Sequence, residues 1–266
     1  MNLLEEELPS SLTVERHGQV AVVTLNRAAK RNALNDLIIR EIAAFFDAQP
    51  EWASVVVLAA SGEHFSAGLD LTALDHRDAV GGLHHSRMWH DAFRRIESSA
   101  VPVIAVLKGA VVGGGLELAV AAHLRVAEDS TFFALPEGQR GLFVGGGASV
   151  RVSRLIGTHR MTDMLLTGRV LDADEGVSAG LAHYRVGSGE GLDKALELAD
   201  RIAENSPVTN YAVLHALPKI AEAEPETGLL MESLMAAIAQ SSQEAKVRMR
   251  AFLDGRAPKV SAEVPR

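Results

Sequence analysis

A chain of 266 residues, 47% hydrophobic and 23% charged, is long enough to bury a large core. Its formal net charge of −8 argues against a nucleic-acid partner or an acidic membrane surface, so an anionic ligand needs a local basic patch. The absence of cysteine excludes disulfides and thiolate chemistry. The opening MNLLEEELPSS lacks the basic and apolar regions of a signal peptide, and no apolar run approaches the ~20 residues of a membrane span. A soluble cytoplasmic protein is expected.

Residues 1–10 read as an acidic arm. Leu12 to Arg16 and Gln19 to Leu25 form a strand pair about His17-Gly18. Asn26 to Asn32 is a polar, basic loop. Asn35 to Ala48 has helical spacing, with Leu37, Ile38, Ile42, Phe45 and Phe46 as its apolar positions. Val55 to Ala59 is a continuous apolar run, the mark of a strand buried on both faces. Ser61 to Asp70 is a loop containing two glycines. Residues 71–90 are polar and histidine-rich and are expected to be the most mobile part of the core, with helical spacing from Ser86 to Glu97. Val103 to Leu107 is a second buried strand. Arg125 to Ala127 and Thr131 to Ala134 are short strands. Pro136 to Gly147 is a long loop. Helices follow over Ala148 to Ile156 and His159 to Leu166, broken at Gly157. A short helix from Asp174 to Ala179, a strand from Ala182 to Val186 and an amphipathic helix from Gly191 to Asn205 complete the alternating part. From Ser206-Pro207 to Leu253 the pattern is purely helical.

The alternation predicts an α/β core with parallel strands over 1–205, followed by a helical region over 206–266. Pattern alone leaves open a doubly wound sheet or a spiral of short β-β-α units. The helical tail either packs on another subunit or folds back on its own core.

The chemistry concentrates in three glycine-containing stretches. Gly113-Gly114-Gly115 follows an apolar run and opens an Ala- and Leu-rich helix. A helix start leaves amides without internal partners, which suits an oxygen that becomes negative during reaction. Glu117, one turn later, is the only charge between Gly109 and Ala122, and a carboxylate on an apolar helix is costly without a partner or a task. Phe65 to Asp70 can aim the Leu69 amide beside that of Gly114. Glu137 follows Pro136 and precedes the second triplet, Gly145-Gly146-Gly147. Two carboxyls in differing surroundings can divide acid and base duties. Lys30 and Arg31 form a small basic spot fit for a phosphate. His76, His84, His85 and His90 lack metal-ligand spacing, and neither a GxSxG elbow nor a GxGxxG turn is present.

In order along the chain, VAVVTLNRAAKRNAL, HFSAGLDL, VPVIAVLKGAVVGGGLELAVAAHLRVAED, PEGQRGLFVGGGASVRVSRLIG, LLTGRVLDADEGVSAGLAHY and AFLDGRAPKV resemble the enoyl-CoA hydratase/isomerase (crotonase) family, over residues 12 to 260. The resemblance implies a crotonase-like spiral of β-β-α units. It implies a C-terminal helical region that builds a homo-trimer, or a hexamer as a dimer of trimers. It implies an enoyl-CoA hydratase: an acyl-CoA thioester as substrate, no cofactor, no metal, no nucleic acid and no membrane. By position, the oxyanion-hole amides fall on Leu69 and Gly114 and the two glutamates on Glu117 and Glu137. Substrate and CoA contacts fall on Lys30, Arg31, Ala33, Ala67, Gly68, Asp70, Leu71, Gly113 and Gly145. Among these, Ala67 offers a carbonyl to the adenine, Lys30 and Arg31 approach the CoA phosphates, and Gly145 lies near the reactive water. Retention of both glutamates favours water addition over members that only isomerise double bonds, hydrolyse thioesters or decarboxylate, and argues against a non-catalytic acyl-CoA scaffold; enoyl-CoA isomerisation or dehydration of a specialised hydroxyacyl-CoA stays open as the alternative reaction. Leu69 stands where a small residue is common and Val144 where proline is frequent.

Overall fold

The computed structural model describes residues 11–73 and 78–256; the acidic arm, His76 and the last ten residues lie outside them. The chain divides into two compact units, residues 1–203 and 204–266.

In the first unit β1 (Leu12–His17) turns at Gly18 and pairs antiparallel with β2 (Val20–Leu25). Then come α1 (Asp36–Asp47), β3 (Val55–Ala60) and α2 (Ala79–Glu97). The next circuit is β4 (Val103–Leu107), β5 (Ala110–Val112) and α3 (Gly114–Ala119). It is followed by β6 (Leu124–Glu128), β7 (Phe132–Ala134), α4 (Ala148–Ile156) and α5 (Thr158–Thr167). The unit closes with β8 (Leu171–Asp172), α6 (Ala173–Ala179), β9 (Tyr184–Val186) and α7 (Gly191–Ala203).

The strands build a six-stranded sheet in the order β1-β2-β3-β4-β6-β9, parallel from β2 onward, and a three-stranded sheet β5-β7-β8. After β4 and after β6 the chain crosses to the small sheet before its next helix. Ser66, after β3, does the same by bridging Val111 in β5. Each circuit is strand, strand, helix, so the architecture is the spiral and not an open doubly wound sheet.

The continuous apolar strands are buried on both faces, as their composition requires. Val20, Val22, Val55, Val57, Ile104 and Val126 meet Ala195, Leu198 and Ala199 of α7. The alternate residues, among them Ala21, Val23, Val56, Leu58 and Ala105, face the larger core with α1 and α2. Asn35 caps α1 by accepting from the Ile38 amide at 3.1 Å. The buried stripe of that helix is Ile38, Ile39, Ile42 and Phe46, whereas Leu37, expected inside, is 53% exposed.

One expectation changes. Helix α2 begins at Ala79, seven residues before Ser86, so much of the polar segment 71–90 is a helix capped by Asp78, whose carboxylate accepts from Gly81 at 2.7 Å. Gly81 and Gly82 mask its start in the sequence because glycine lowers helix propensity. Helix α3 is a turn and a half long. The buried Arg125 guanidinium takes up the Ala122 and Leu181 carbonyls, each at 2.6 Å, just past its end. Strands β5 and β8, three and two residues long, are too short to show a period.

The second unit contains α8 (Pro207–Tyr211), a π-helical stretch over Ala212–Ala216, α9 (Leu217–Glu222), α10 (Pro225–Ser241) and α11 (Gln243–Leu253). Among the described residues no helix is long and apolar enough to cross a membrane.

One buried side chain ties the first loops together. Asn32 is fully buried at φ +51°, a left-handed conformation that asparagine tolerates. Its Nδ2 donates to the carbonyls of Ser61 (2.9 Å) and His64 (2.8 Å), and its Oδ1 accepts from the Arg27 amide (2.8 Å). Asn32→Ala leaves these backbone groups buried and unpaired, and is expected to cost on the order of 3 kcal/mol in urea unfolding at unchanged m-value. A loss below about 0.5 kcal/mol contradicts this role.

Candidate active site

The loop after β3 runs between two neighbours and bonds to both. Phe65 and Ser66 donate to Lys108 and Ala110 on one side, and Ala67 and Asp70 to Arg31 and Leu34 on the other. Gly68 donates to the Ser66 hydroxyl at 3.1 Å. Among the described residues the Leu69 amide alone in this run, Phe65 to Asp70, has no protein acceptor. The Gly114 amide opens α3, where no preceding turn exists to accept it. The two nitrogens are neighbours: a Cβ on Gly114 would lie 3.5 Å from the Leu69 nitrogen, and one on Gly68 3.2 Å from the Gly114 nitrogen. That approach requires glycine at 68, where φ is +87° and a Cβ would lie 2.5 Å from the Val112 carbonyl oxygen.

Glu117 stands one turn further along α3 and is 3% exposed. Its Oε1 accepts from the amides of Gly146 (2.8 Å) and Ala148 (3.0 Å), at the end of the long loop and the start of α4. Burial pushes its carboxyl above the usual carboxylate range, against the opposing pull of those amides and of Arg151. Glu137 is half-buried, and its Oε2 has no hydrogen-bond partner among the described residues. Its carboxyl is raised by burial and then by the negative charge of Glu117. A Cβ on Gly113 would lie 2.6 Å from Glu137 Oε1, and one on Gly146 would lie 2.7 Å from Glu117 Oε2. Both carboxyls reach their positions over bare backbone.

Glu117, Glu137, Leu69 and Gly114 line one cavity of about 380 Å³. Of the other sequence-derived positions, Ala67, Gly68, Leu71, Gly113 and Gly145 line it as well. Lys30 and Arg31 are exposed and, with Ala33, lie outside its wall. The Arg31 carbonyl accepts from the Ala67 amide at 2.9 Å, which stitches this basic turn to the rim. Asp70 is a correction. It is buried, lies outside the cavity wall, and bonds Arg27 at 3.1 Å and the Thr72 hydroxyl at 2.6 Å. The Thr72 hydroxyl, outweighing burial, and Arg27 hold its carboxyl below the usual range, so it shapes the loop.

The remaining wall was not read from the sequence. Helix α2 supplies Gly82, His85, Ser86 and Trp89, and the loop before α4 supplies Leu142 and Phe143. Positions 82, 85, 86 and 89 share one helical face, a signal visible once the helix is begun at Ala79. His85 is bonded to Asp36 at 2.9 Å, and among the described residues no group of three or more His, Asp or Glu could hold a metal ion.

A β-β-α spiral with two amides and two carboxyls on one cavity defines an enzyme of the crotonase fold. The chain belongs to the enoyl-CoA hydratase/isomerase family, whose model matches residues 15–262. It is 30% identical to the short-chain-enoyl-CoA hydratase of Clostridium acetobutylicum, over 93% of this chain and 96% of that one. It is 34% identical to the enoyl-CoA hydratase EchA19 of Mycobacterium tuberculosis, over 95% and 97%. A crystal structure of an enoyl-CoA hydratase candidate from Rhodopseudomonas palustris, 59% identical over 93% of this chain and 96% of its own, matches with a TM-score of 0.91.

The electrostatic coupling is directly measurable. The charge of Glu117 raises the Glu137 pKa, so Glu117→Gln is expected to lower it. Carbon NMR of glutamate labelled at the carboxyl checks this; a Glu137 titration that does not move shows the two groups to be electrostatically independent.

Proposed function

We propose that this protein catalyses the reversible syn addition of water to a trans-2-enoyl-CoA, giving a 3-hydroxyacyl-CoA. The observation that carries this reading is one cavity lined by two neighbouring amides that lack protein acceptors among the described residues and two carboxyls held above their usual pKa. The thioester oxygen sits between the N–H groups of Leu69 and Gly114. Those donors stabilise the charge that grows on it as water attacks C3, and losing one such donor typically costs about 3–4 kcal/mol of barrier. Glu117, kept as an acceptor by Gly146 and Ala148, takes the proton from water as its oxygen bonds to C3. The electron pair of the double bond moves through C2 to the thioester, and returns as Glu137 delivers a proton to C2. Proton exchange resets the two acids, and in dehydration their roles interchange.

The acyl-CoA is the substrate, and proton transfers beside a polarised carbonyl call for no resident cofactor. The exposed Lys30 and Arg31, joined to the rim through Ala67, suit the CoA phosphates. The acyl chain meets Leu69, Leu71, Trp89, Leu142 and Phe143, an apolar wall.

Hydration of crotonyl-CoA, followed by loss of its enone absorbance, tests the reading. Glu117→Gln and Glu137→Gln should each lose on the order of 10³-fold in kcat while still binding acyl-CoA. The reading also requires Glu117 ionised and Glu137 protonated. kcat/KM should therefore rise with pH as the pair loses its first proton and fall as it loses its second, with both limbs above the ordinary carboxylate range. Near-parent rates in either variant, or a profile flat from weakly acid to alkaline pH, refute it.

The second unit is assigned to self-association. Leu229, Leu230, Leu234 and Ile238 on α10 are each more than 50% exposed. Large exposed apolar faces mark protein contacts. Sedimentation velocity should give a trimer or hexamer, and Leu230→Glu with Leu234→Glu a smaller species; a monomeric parent removes this assignment.

A further inference from the structure

The amides that hold Glu117 lie in and just after a loop of three consecutive glycines, which by itself has little reason to keep one shape. The loop is gripped from behind. The Gly145 carbonyl accepts from the Ser86 hydroxyl of α2 at 2.6 Å. The Gly146 carbonyl accepts from Arg151 Nη1 of α4 at 3.0 Å, while Arg151 Nη2 is paired at 2.6 Å with Glu97 at the end of α2. The Arg151 side chain is only 13% exposed against 43% for Glu97, so the guanidinium is the buried member of the pair. It lies against the backbone of Gly147, where φ is +108° and a Cβ would collide with Nη1.

We propose that Arg151 is a positioning residue for Glu117: anchored by Glu97, it fixes the Gly146–Gly147 peptide, which lies between the amides at 146 and 148, so that both converge on the Glu117 carboxylate, with Ser86 fixing the Gly145–Gly146 peptide. The inference rests on the catalytic reading of Glu117. Gly146 is held on both sides: its carbonyl, in the peptide shared with Gly147, accepts from Arg151 at 3.0 Å, and its amide, in the peptide shared with Gly145, donates to Glu117 at 2.8 Å. The Gly146–Gly147 peptide lies between the donor amides at 146 and 148, so a change in its orientation on release from Arg151 alters how the two meet Glu117. Polarisation along Ser86, the Gly145–Gly146 peptide and Glu117 also strengthens the Gly146 amide as a donor. The guanidinium makes no direct bond to Glu117 among the described residues, yet its charge favours the ionised carboxylate.

Other charges surround the pair and bear on its titration. Glu137 faces Glu117 from the loop after β7. On α2, Glu97 neutralises part of Arg151, and His90 lies 3.4 Å from the Ser86 hydroxyl with Arg87 and Asp91 beside it. Burial, then the charge of Arg151, hold His90 below its usual pKa, so near neutral pH it adds no cation to this cluster.

The test compares Arg151→Met, Arg151→Lys and Ser86→Ala with Glu117→Gln in crotonyl-CoA hydration. Arg151→Met is expected to lower kcat on the order of 10²-fold with KM nearly unchanged, the signature of a misplaced catalytic group. Loss of the positive charge raises the pKa of a carboxyl that must be ionised, so the acidic limb of kcat/KM should move to higher pH. Arg151→Lys keeps the charge, and should return the limb toward its parent position while restoring kcat only in part. A folded Arg151→Met enzyme with parent kcat and an unmoved limb overturns the proposal. So does a kcat loss that is equal in the Met and Lys variants with no movement of either limb, which marks a structural role alone. Should Arg151→Met fail to fold, Arg151→Lys and Ser86→Ala decide: lowered kcat at constant KM in both supports the clamp, and parent kcat in both overturns it. Full activity in Glu117→Gln is a different failure, since it removes the function proposed for Glu117; an inactive Glu117→Gln beside a fully active Arg151→Met removes the clamp alone.

Discussion

A carboxylate 3% exposed to solvent on an apolar helix is the constraint around which this structure is arranged. Removing such a charge from water is costly unless hydrogen bonds replace those it loses. Here two main-chain amides, at Gly146 and Ala148, provide the replacement. They come from a segment 29 and 31 residues further along the chain. The long loop after β7, its glycine triplet and the start of α4 are thereby brought against α3. The balance stays incomplete, since burial still raises the Glu117 pKa against the amides and Arg151. That residual cost suits a group proposed to exchange protons during turnover.

The second requirement is a pair of amides with nothing to bond. Extended segments flanked on both sides satisfy successive amides alternately left and right. The run from Phe65 to Asp70 uses both sides without strict alternation, 65 and 66 toward the β5 side, 67 and 70 toward Arg31 and Leu34, and Gly68 onto the Ser66 hydroxyl; Leu69 is left where the β5 side ends at Val112 and the chain turns into α3. The spiral produces this gap geometrically. Ser66 pairs with Val111, and the neighbouring strand becomes a helix three residues later. A helix start can offer no carbonyl to the segment beside it, so the Leu69 and Gly114 amides face the same space. Glycine at 68 and at 114 removes the side chains that would fill it, the latter against the Trp89 ring 2.7 Å from where a Cβ would stand.

Much of this was legible beforehand. The apolar runs at 55–59 and 103–107 are strands buried on both faces because no polar residue interrupts them. Glu117 stood out because it was the one charge on an apolar run, and Gly68 and Gly113 to Gly115 because glycines cluster where backbones approach closely. Helix α2 was misjudged at its start because the Asp78 cap is followed by two glycines and two histidines, which dilute the apolar spacing until Trp89. With its first turns went the face bearing Gly82, His85 and Ser86. Asp70 was placed among the substrate contacts only by the family resemblance, but adjacent residues of an extended segment point to opposite sides, and Asp70 turns to Arg27.

The amino-acid sequence by itself determined the alternation of strands and helices, the family, and which backbone positions could tolerate close approach. Those properties follow from local composition and spacing, which the chain carries wherever it goes. Tertiary structure alone decided that Glu117 and Glu137 share one cavity, that the Leu69 amide is the unbonded one of its run, and that Arg151 reaches the Gly146 carbonyl. Each of these depends on segments tens of residues apart, whose separation is set by how the spiral closes and leaves no trace in local periodicity.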